Sequence, residues 1–352
     1  MKLFTVGPVM MHPEVLEESG KQLPYFRTDE FSELMLESEN LLKGLLGTAD
    51  DSKVAFLTAS GTGAMEAAVS NIFDSDDRLL IVVGGSFGRR FAEIAEVHGI
   101  PYDVLELEFG HELSETDLQR YDSAGYTGIL VNMDETSTGQ LYDIRMISSF
   151  ARRNGMCLVV DAISAFLADE LQMDDMGIDA VILSSQKALA LSPGISMVVV
   201  NGRTCSDRIS RIRPPSYYLD LKHHFKDQER GQTPFTPAVG TLLELNRMLH
   251  LVHDQGLETR IENTRSLAMH FRKGAADLGI EVPGYRLSNA VTPIMFDHGA
   301  KDVYNRLRDG YGFTLTPSGG DMADRMLRVG HIGNMSIQDY DDLLAALREV
   351  LE

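Results

Sequence analysis

Seven short apolar runs alternate with helix-period segments through the first two-thirds of the chain, and no other feature limits the fold as much. The runs are Val54–Leu57, Leu79–Val83, Tyr102–Leu107, Gly128–Asn132, Cys157–Val160, Ala180–Leu183 and Ser196–Val200. Helical spacing occupies Phe31–Leu46, Ala64–Phe73, a stretch ending at Val97, and Ile144–Arg153. Such β-α alternation predicts a mostly parallel sheet covered by helices. The pattern changes near Pro214-Pro215 and again across Gly231–Pro237. A long helical pattern follows from Ala238 to about Leu278. Strand-like pieces near Val291–Phe296 and Arg325–Gly330 then alternate with helices at Asp302–Arg308 and Ser336–Leu351. The expected organisation is an N-terminal arm over 1–20, a large domain over 21–235 and a smaller α/β domain over 236–352, with the hinge in the Pro-rich 231–237 stretch.

Composition narrows the partners. Thirty-two Lys+Arg stand against 52 Asp+Glu in 352 residues, a formal net charge of −20. Such a field repels phosphate backbones and anionic lipid, which argues against nucleic-acid or membrane partners. An anionic substrate therefore needs a local basic pocket. The two cysteines, Cys157 and Cys205, form no Cys-x-x-Cys pair. No disulfide framework or thiolate metal site is expected, and a reducing cytoplasm fits. The histidines show no metal-ligand spacing.

Two residues carry the chemistry. Asp161 closes the apolar run Cys157–Val160, and Lys187 follows the next run, 26 positions later, in Ser-Ser-Gln-Lys-Ala. A lone strand-end lysine is ordinarily solvated, and a lone strand-end aspartate is often a cap. Together they suit pyridoxal 5'-phosphate. The amine can form a Schiff base with the cofactor aldehyde, and the carboxylate can hold the pyridine nitrogen protonated. The crevice at the carboxyl ends of open α/β strands is where such a pair would meet.

Ser60-Gly61-Thr62-Gly63-Ala64 joins a strand to a helix, and a helix N-terminus offers free N–H groups to phosphate. On its own a short glycine turn is the commoner explanation. Phe87, in Gly-Gly-Ser-Phe-Gly, could stack on a flat ring or belong to the core. Thr136, in Glu-Thr-Ser-Thr-Gly, offers a hydroxyl near another strand end. Arg328, in Leu-Arg-Val-Gly, interrupts an apolar run; a salt bridge or a substrate carboxylate would offset its burial. Arg27 is a second candidate anion contact.

In this order and spacing the motifs resemble the class V aminotransferases of the fold-type-I pyridoxal-phosphate enzymes. The resemblance spans Val-Gly7-Pro8, Ser-Gly-Thr-Gly, Gly-Ser-Phe-Gly, Glu-Thr-Ser-Thr-Gly, Asp161-Ala-Ile-Ser, Ser-Ser-Gln-Lys187, Thr-Pro-Phe-Thr236-Pro and Arg328-Val-Gly. It implies a large domain with a mostly parallel seven-stranded sheet and a smaller α/β C-terminal domain. It implies Lys187 as the Schiff-base lysine and proton shuttle, Asp161 on the pyridinium nitrogen, and Phe87 on the ring face. Thr62, Gly63, Ala64 and Gln186 would hold the phosphate, Thr136 would lie near the phenolic oxygen, and Ile163 would line the cofactor. Thr233 and Thr236 would reach the cofactor of the neighbouring subunit in a homodimer. Arg328, with Arg27 and Gly7, would bind substrate, and no metal is implied.

The implied reaction is ping-pong transamination from a small amine or amino-acid donor to pyruvate or glyoxylate. Arg-Thr-Asp-Glu-Phe and Thr-Pro-Phe-Thr-Pro resemble 2-aminoethylphosphonate–pyruvate aminotransferases. Ser-Ser-Gln-Lys and Tyr-Tyr-Leu-Asp-Leu-Lys resemble alanine/serine–glyoxylate aminotransferases. The expectation favours the phosphonate donor, with Arg27 as its contact. The rivals are a cysteine desulfurase, which needs a mobile thiol near the cofactor, and a non-catalytic protein of the same shape.

Overall fold

A computed structural model describes residues 1–352. The expected seven-stranded sheet is present. Its strands are β1 (Lys53–Leu57), β2 (Leu79–Val83), β3 (Tyr102–Glu106), β4 (Gly128–Asn132), β5 (Cys157–Asp161), β6 (Ala180–Ser184) and β7 (Ser196–Val200). They lie in the order β1-β7-β6-β5-β4-β2-β3. Only β7 runs antiparallel to its neighbours, β1 and β6; the other pairs are parallel. Every residue of β2, β4, β5, β6 and β7 is buried, as expected when helices cover both faces.

Strand alternation divides these side chains between two apolar layers. Val82, Val160 and Leu183 join the layer that contains Leu42 and Leu245. Their chain neighbours Ile81, Val159 and Ile182 join the opposite layer, with Ala68 and Phe91. Each fully buried aliphatic side chain contributes roughly 1.5–3 kcal/mol, so both faces are anchored along the strands that carry the site.

A third core belongs to the C-terminal region. An antiparallel sheet of β8 (Val291–Met295), β9 (Thr316–Pro317) and β10 (Met326–Gly330) packs with Phe271, Tyr340 and Leu347. Phe4 joins this core, and Lys2–Leu3 pairs with Phe313–Thr314, whereas Val9 and Val15 join the large core. The first 15 residues thus contribute to both cores. The helical pattern expected from Ala238 to Leu278 is two helices, Val239–Gln255 and Leu257–Asp277. Gly256 separates them with φ +86°, a conformation glycine adopts at little cost. The first helix buries Leu242, Leu245 and Leu249 in the large core, and the second buries Phe271 and Ala275 in the small one. The change of core therefore falls at Gly256, downstream of the 231–237 stretch. No helix is long and apolar enough to cross a membrane.

Candidate active site

Parallel strands bring their carboxyl ends to one edge of the sheet. Asn132 at the end of β4 lies in register with Asp161 at the end of β5, and Asp161 with Ile182 of β6. Lys187 follows β6 by three residues and is 8% exposed. The Asp161 carboxylate accepts hydrogen bonds from Asn132 Nδ2 at 2.6 Å and from the Ile163 backbone N–H at 2.9 Å. Burial raises the Asp161 carboxyl to about 6, against the pull of those two donors and of Lys187. Burial lowers the Lys187 amine to about 8; Asp134 opposes that shift and Arg328 adds to it. A neutral amine is thus accessible near physiological pH, as a nucleophilic lysine requires.

Phe87 is half-buried, and Lys187 Nζ lies 5.6 Å from its ring centroid. Glu135 fixes this ring's backbone. Fully buried, it accepts from the N–H groups of Phe87 at 3.3 Å and Gly88 at 2.9 Å, at the start of the helix Ser86–Val97. The helix Gly61–Ile72 also begins here, and the Ser60 side chain does not cap it. Its first two N–H groups, of Gly61 and Thr62, are therefore open to an anion, while those of Gly63 and Ala64 donate to the Ser60 carbonyl at 2.9 and 3.3 Å. Arg90 bonds the Thr62 hydroxyl at 3.2 Å and lies over the Phe87 ring. A Cβ on Gly61 would collide with Ile163 Cδ1, which keeps this turn against the Asp161 loop. Gln186 accepts from Ser184 Oγ at 2.6 Å. At Gly7 (φ +134°) a Cβ would come within 2.8 Å of Lys187 Cδ, so the N-terminal segment passes directly beside the lysine stem.

Arg328 reaches in from β10. Its two Nη atoms donate to the carbonyls of Thr136 and Pro317, each at 2.9 Å, while its buried Nε has no partner. The Thr136 hydroxyl pairs with Ser164 Oγ at 2.8 Å. Arg27 is exposed, and its Nη1 donates to Gln232 Oε1 at 2.9 Å and to the Thr233 carbonyl at 2.8 Å. Thr233 is buried and bonds the Phe235 carbonyl at 2.7 Å, whereas Thr236 is exposed. Sequence reasoning missed Asn132, Asp134, Glu135 and Ser164. Three of these flank Thr136 or end the same apolar run, so strand-end polarity was the available signal. Cys157 begins β5, at the opposite end of the sheet, where burial pushes its thiol up. Cys205 follows β7, and burial raises its thiol as well.

The donor set fits pyridoxal phosphate. It offers a buried amine, a strand-end carboxylate with bonded support, an aromatic face and an uncapped helix start for the phosphate. The comparisons agree. The family model Aminotransferase class-V matches residues 22–293. An uncharacterized aminotransferase of Methanocaldococcus jannaschii is 31% identical, over 94% of this chain and 87% of its own length. A solved aspartate aminotransferase of Thermus thermophilus superposes with TM-score 0.92 at 29% identity, covering 100% of this chain and 99% of that one. For an alanine–glyoxylate aminotransferase of Nostoc sp. the TM-score is 0.93 at 26% identity, covering 99% of this chain and 95% of that one. The chain belongs to the class-V aminotransferases. It is a pyridoxal-phosphate-dependent transaminase of fold type I.

Proposed function

We propose that this transaminase moves the amino group of a small monocarboxylate amino acid, of the alanine or serine kind, to glyoxylate or pyruvate. One observation carries the choice of donor. Arg328 is half-buried within electrostatic reach of Lys187 and keeps its buried Nε free for a carboxylate, whereas Arg27 is exposed and has no such coupling to Lys187. The likeness to an alanine–glyoxylate aminotransferase supports the same reading.

When bound, the cofactor supplies an aldehyde for amine exchange and a ring that takes up electron density. Lys187 Nζ is the covalent anchor, and once released it accepts the proton that leaves the donor's α-carbon. Asp161, kept available as an anion by Asn132 and Ile163, holds the proton on the ring nitrogen. Phe87 covers one ring face, and Glu135 holds Phe87. The turn carrying Thr62, Gly63 and Ala64, with Gln186, would hold the phosphate, and Thr136 and Ile163 would line the ring. Arg328 orients the donor carboxylate, and Gly7 leaves room beside the lysine stem. The change of core at Gly256 supports a two-domain enzyme in which the small domain delivers Arg328 to the large domain's Lys187.

Thr236 is exposed and its hydroxyl is free for another chain, which supports a homodimer with shared cofactor phosphates; Thr233 is already engaged. The two free cysteines support a reducing, cytoplasmic setting. The test is a donor panel of alanine, serine, aspartate, cysteine and 2-aminoethylphosphonate, read by bleaching of the cofactor absorbance. Alanine or serine should convert it fastest. A tenfold preference for aspartate or 2-aminoethylphosphonate would overturn the donor assignment, and sulfide release from cysteine would revive the desulfurase.

A further inference from the structure

Both carboxylate oxygens of Asp134 are buried without a hydrogen-bond partner. The residue is 2% exposed and sits in the short hairpin that pairs Asp134–Glu135 with Gln140–Leu141. It lies two residues past Asn132 and two before Thr136, whose carbonyl holds Arg328. Its charged surroundings come from several elements. Lys187 faces it from the loop after β6, Arg328 from β10, and Arg272 from the helix Leu257–Asp277. The anions are Glu135, its neighbour, and Asp169 from the segment after β5. Tyr142 and Tyr285 add two phenols, and the Tyr142 hydroxyl is also buried without a partner.

The other two acids are satisfied. Glu135 is held by Phe87 and Gly88, and Asp169 by Ser288 Oγ at 2.5 Å and the Asn289 N–H at 3.1 Å. Near the Asp134 carboxyl the one uncharged donor is the Ser164 hydroxyl, which pairs with Thr136 and makes no bond of good geometry to either oxygen; a buried carboxyl so poorly paired costs stability that a neutral side chain of the same shape would not. A purely structural role does not account for it.

We propose that Asp134 is a positioning residue that sets the protonation of the nitrogen on Lys187. As an anion it favours a proton on that nitrogen; as a neutral acid it releases that hold. The proposal rests on Lys187 being the amine that anchors the cofactor. Burial supports it by bringing the two groups into one pH range, pushing Asp134 up to about 7 and Lys187 down to about 8.

The test follows the cofactor absorbance of loaded wild-type, D134N, D134A and D134E protein from pH 5 to 10, beside the pH profile of kcat/KM. D134N and D134A should lower the midpoint for loss of the Lys187 proton by about 1 pH unit, the scale of one nearby opposite charge. D134E should restore it in part, and D134N should resist urea at least as well as wild type. An unchanged midpoint in D134N or D134A, with or without lost stability, would overturn the proposal. Borohydride labelling separates it from the reading beneath it. If no peptide containing Lys187 is labelled, the anchor assignment itself fails; if it is labelled and the midpoint does not move, only the role of Asp134 fails.

Discussion

The two ends of the large sheet treat polar groups in opposite ways. At the carboxyl ends of β4, β5 and β6, buried capacity is left over: both oxygens of Asp134, Oδ1 of Asn132, the Tyr142 hydroxyl and Arg328 Nε have no partner. At the other end Asp179 is saturated. It accepts from the Leu158 N–H at 2.8 Å, Asn201 Nδ2 and Arg203 Nη2 at 3.0 Å, and Thr204 Oγ1 at 3.4 Å. Nearby, Arg208 pairs with Asp77 at 3.0 Å and donates to the carbonyls of Ile72 and Thr127. Unmade hydrogen bonds cost stability. Their concentration at one edge marks where a ligand completes the bonding, while the saturated edge holds the strands in place.

Substitutions at the two ends should therefore fail differently. Lys187→Ala should abolish turnover without added amine and remove borohydride labelling, with folding intact by circular dichroism; retained turnover would break the contrast at its centre. Asp161→Asn should lower kcat on the order of 100-fold, the scale of one preorganised electrostatic contact. It should also flatten a pH slope in the cofactor-free protein. The folded carboxyl titrates at about 6 against an ordinary 3.8, so the native chain keeps a proton that the unfolded chain has lost. The stability this group contributes is full below 3.8 and is lost as pH rises through about 6; urea melts of both proteins between these values should show the slope only in wild type. Asp179→Ala should do the reverse of both. Leaving the Leu158 N–H buried and unpaired should cost about 2–4 kcal/mol in urea unfolding, with kcat per folded molecule unchanged.

Much of this architecture was legible in the chain because buried strands are written as uninterrupted apolar runs. Leu79–Val83, Gly128–Asn132 and Ser196–Val200 coincide with β2, β4 and β7. The break at Gly256 was not legible, since apolar spacing continues through it and only a backbone angle separates the two helices. Asp161, Lys187, Phe87 and Arg328 stood out because each is a chemically marked residue beside an apolar run. Asn132, Asp134 and Glu135 did not, because strand-end polar residues are ordinarily solvated and only the fold buries them. Arg27 is a case where the chain alone does not give the surroundings. Its sequence context suggests an anion contact, and the fold adds bonds from its Nη1 to Gln232 and the Thr233 carbonyl, 205 and 206 positions away.

The antiparallel strand β7 has a consequence for how the chain is made. It separates β1 from the rest of the sheet, and Ser196 pairs with Leu57, 139 positions earlier. As the chain leaves the ribosome, β1 emerges long before the only strand that can receive it. During that interval the nascent chain carries an apolar strand with open edges, the kind of segment that recruits chaperones or sticks to its own kind. Pairing this remote also places the protein among slow folders.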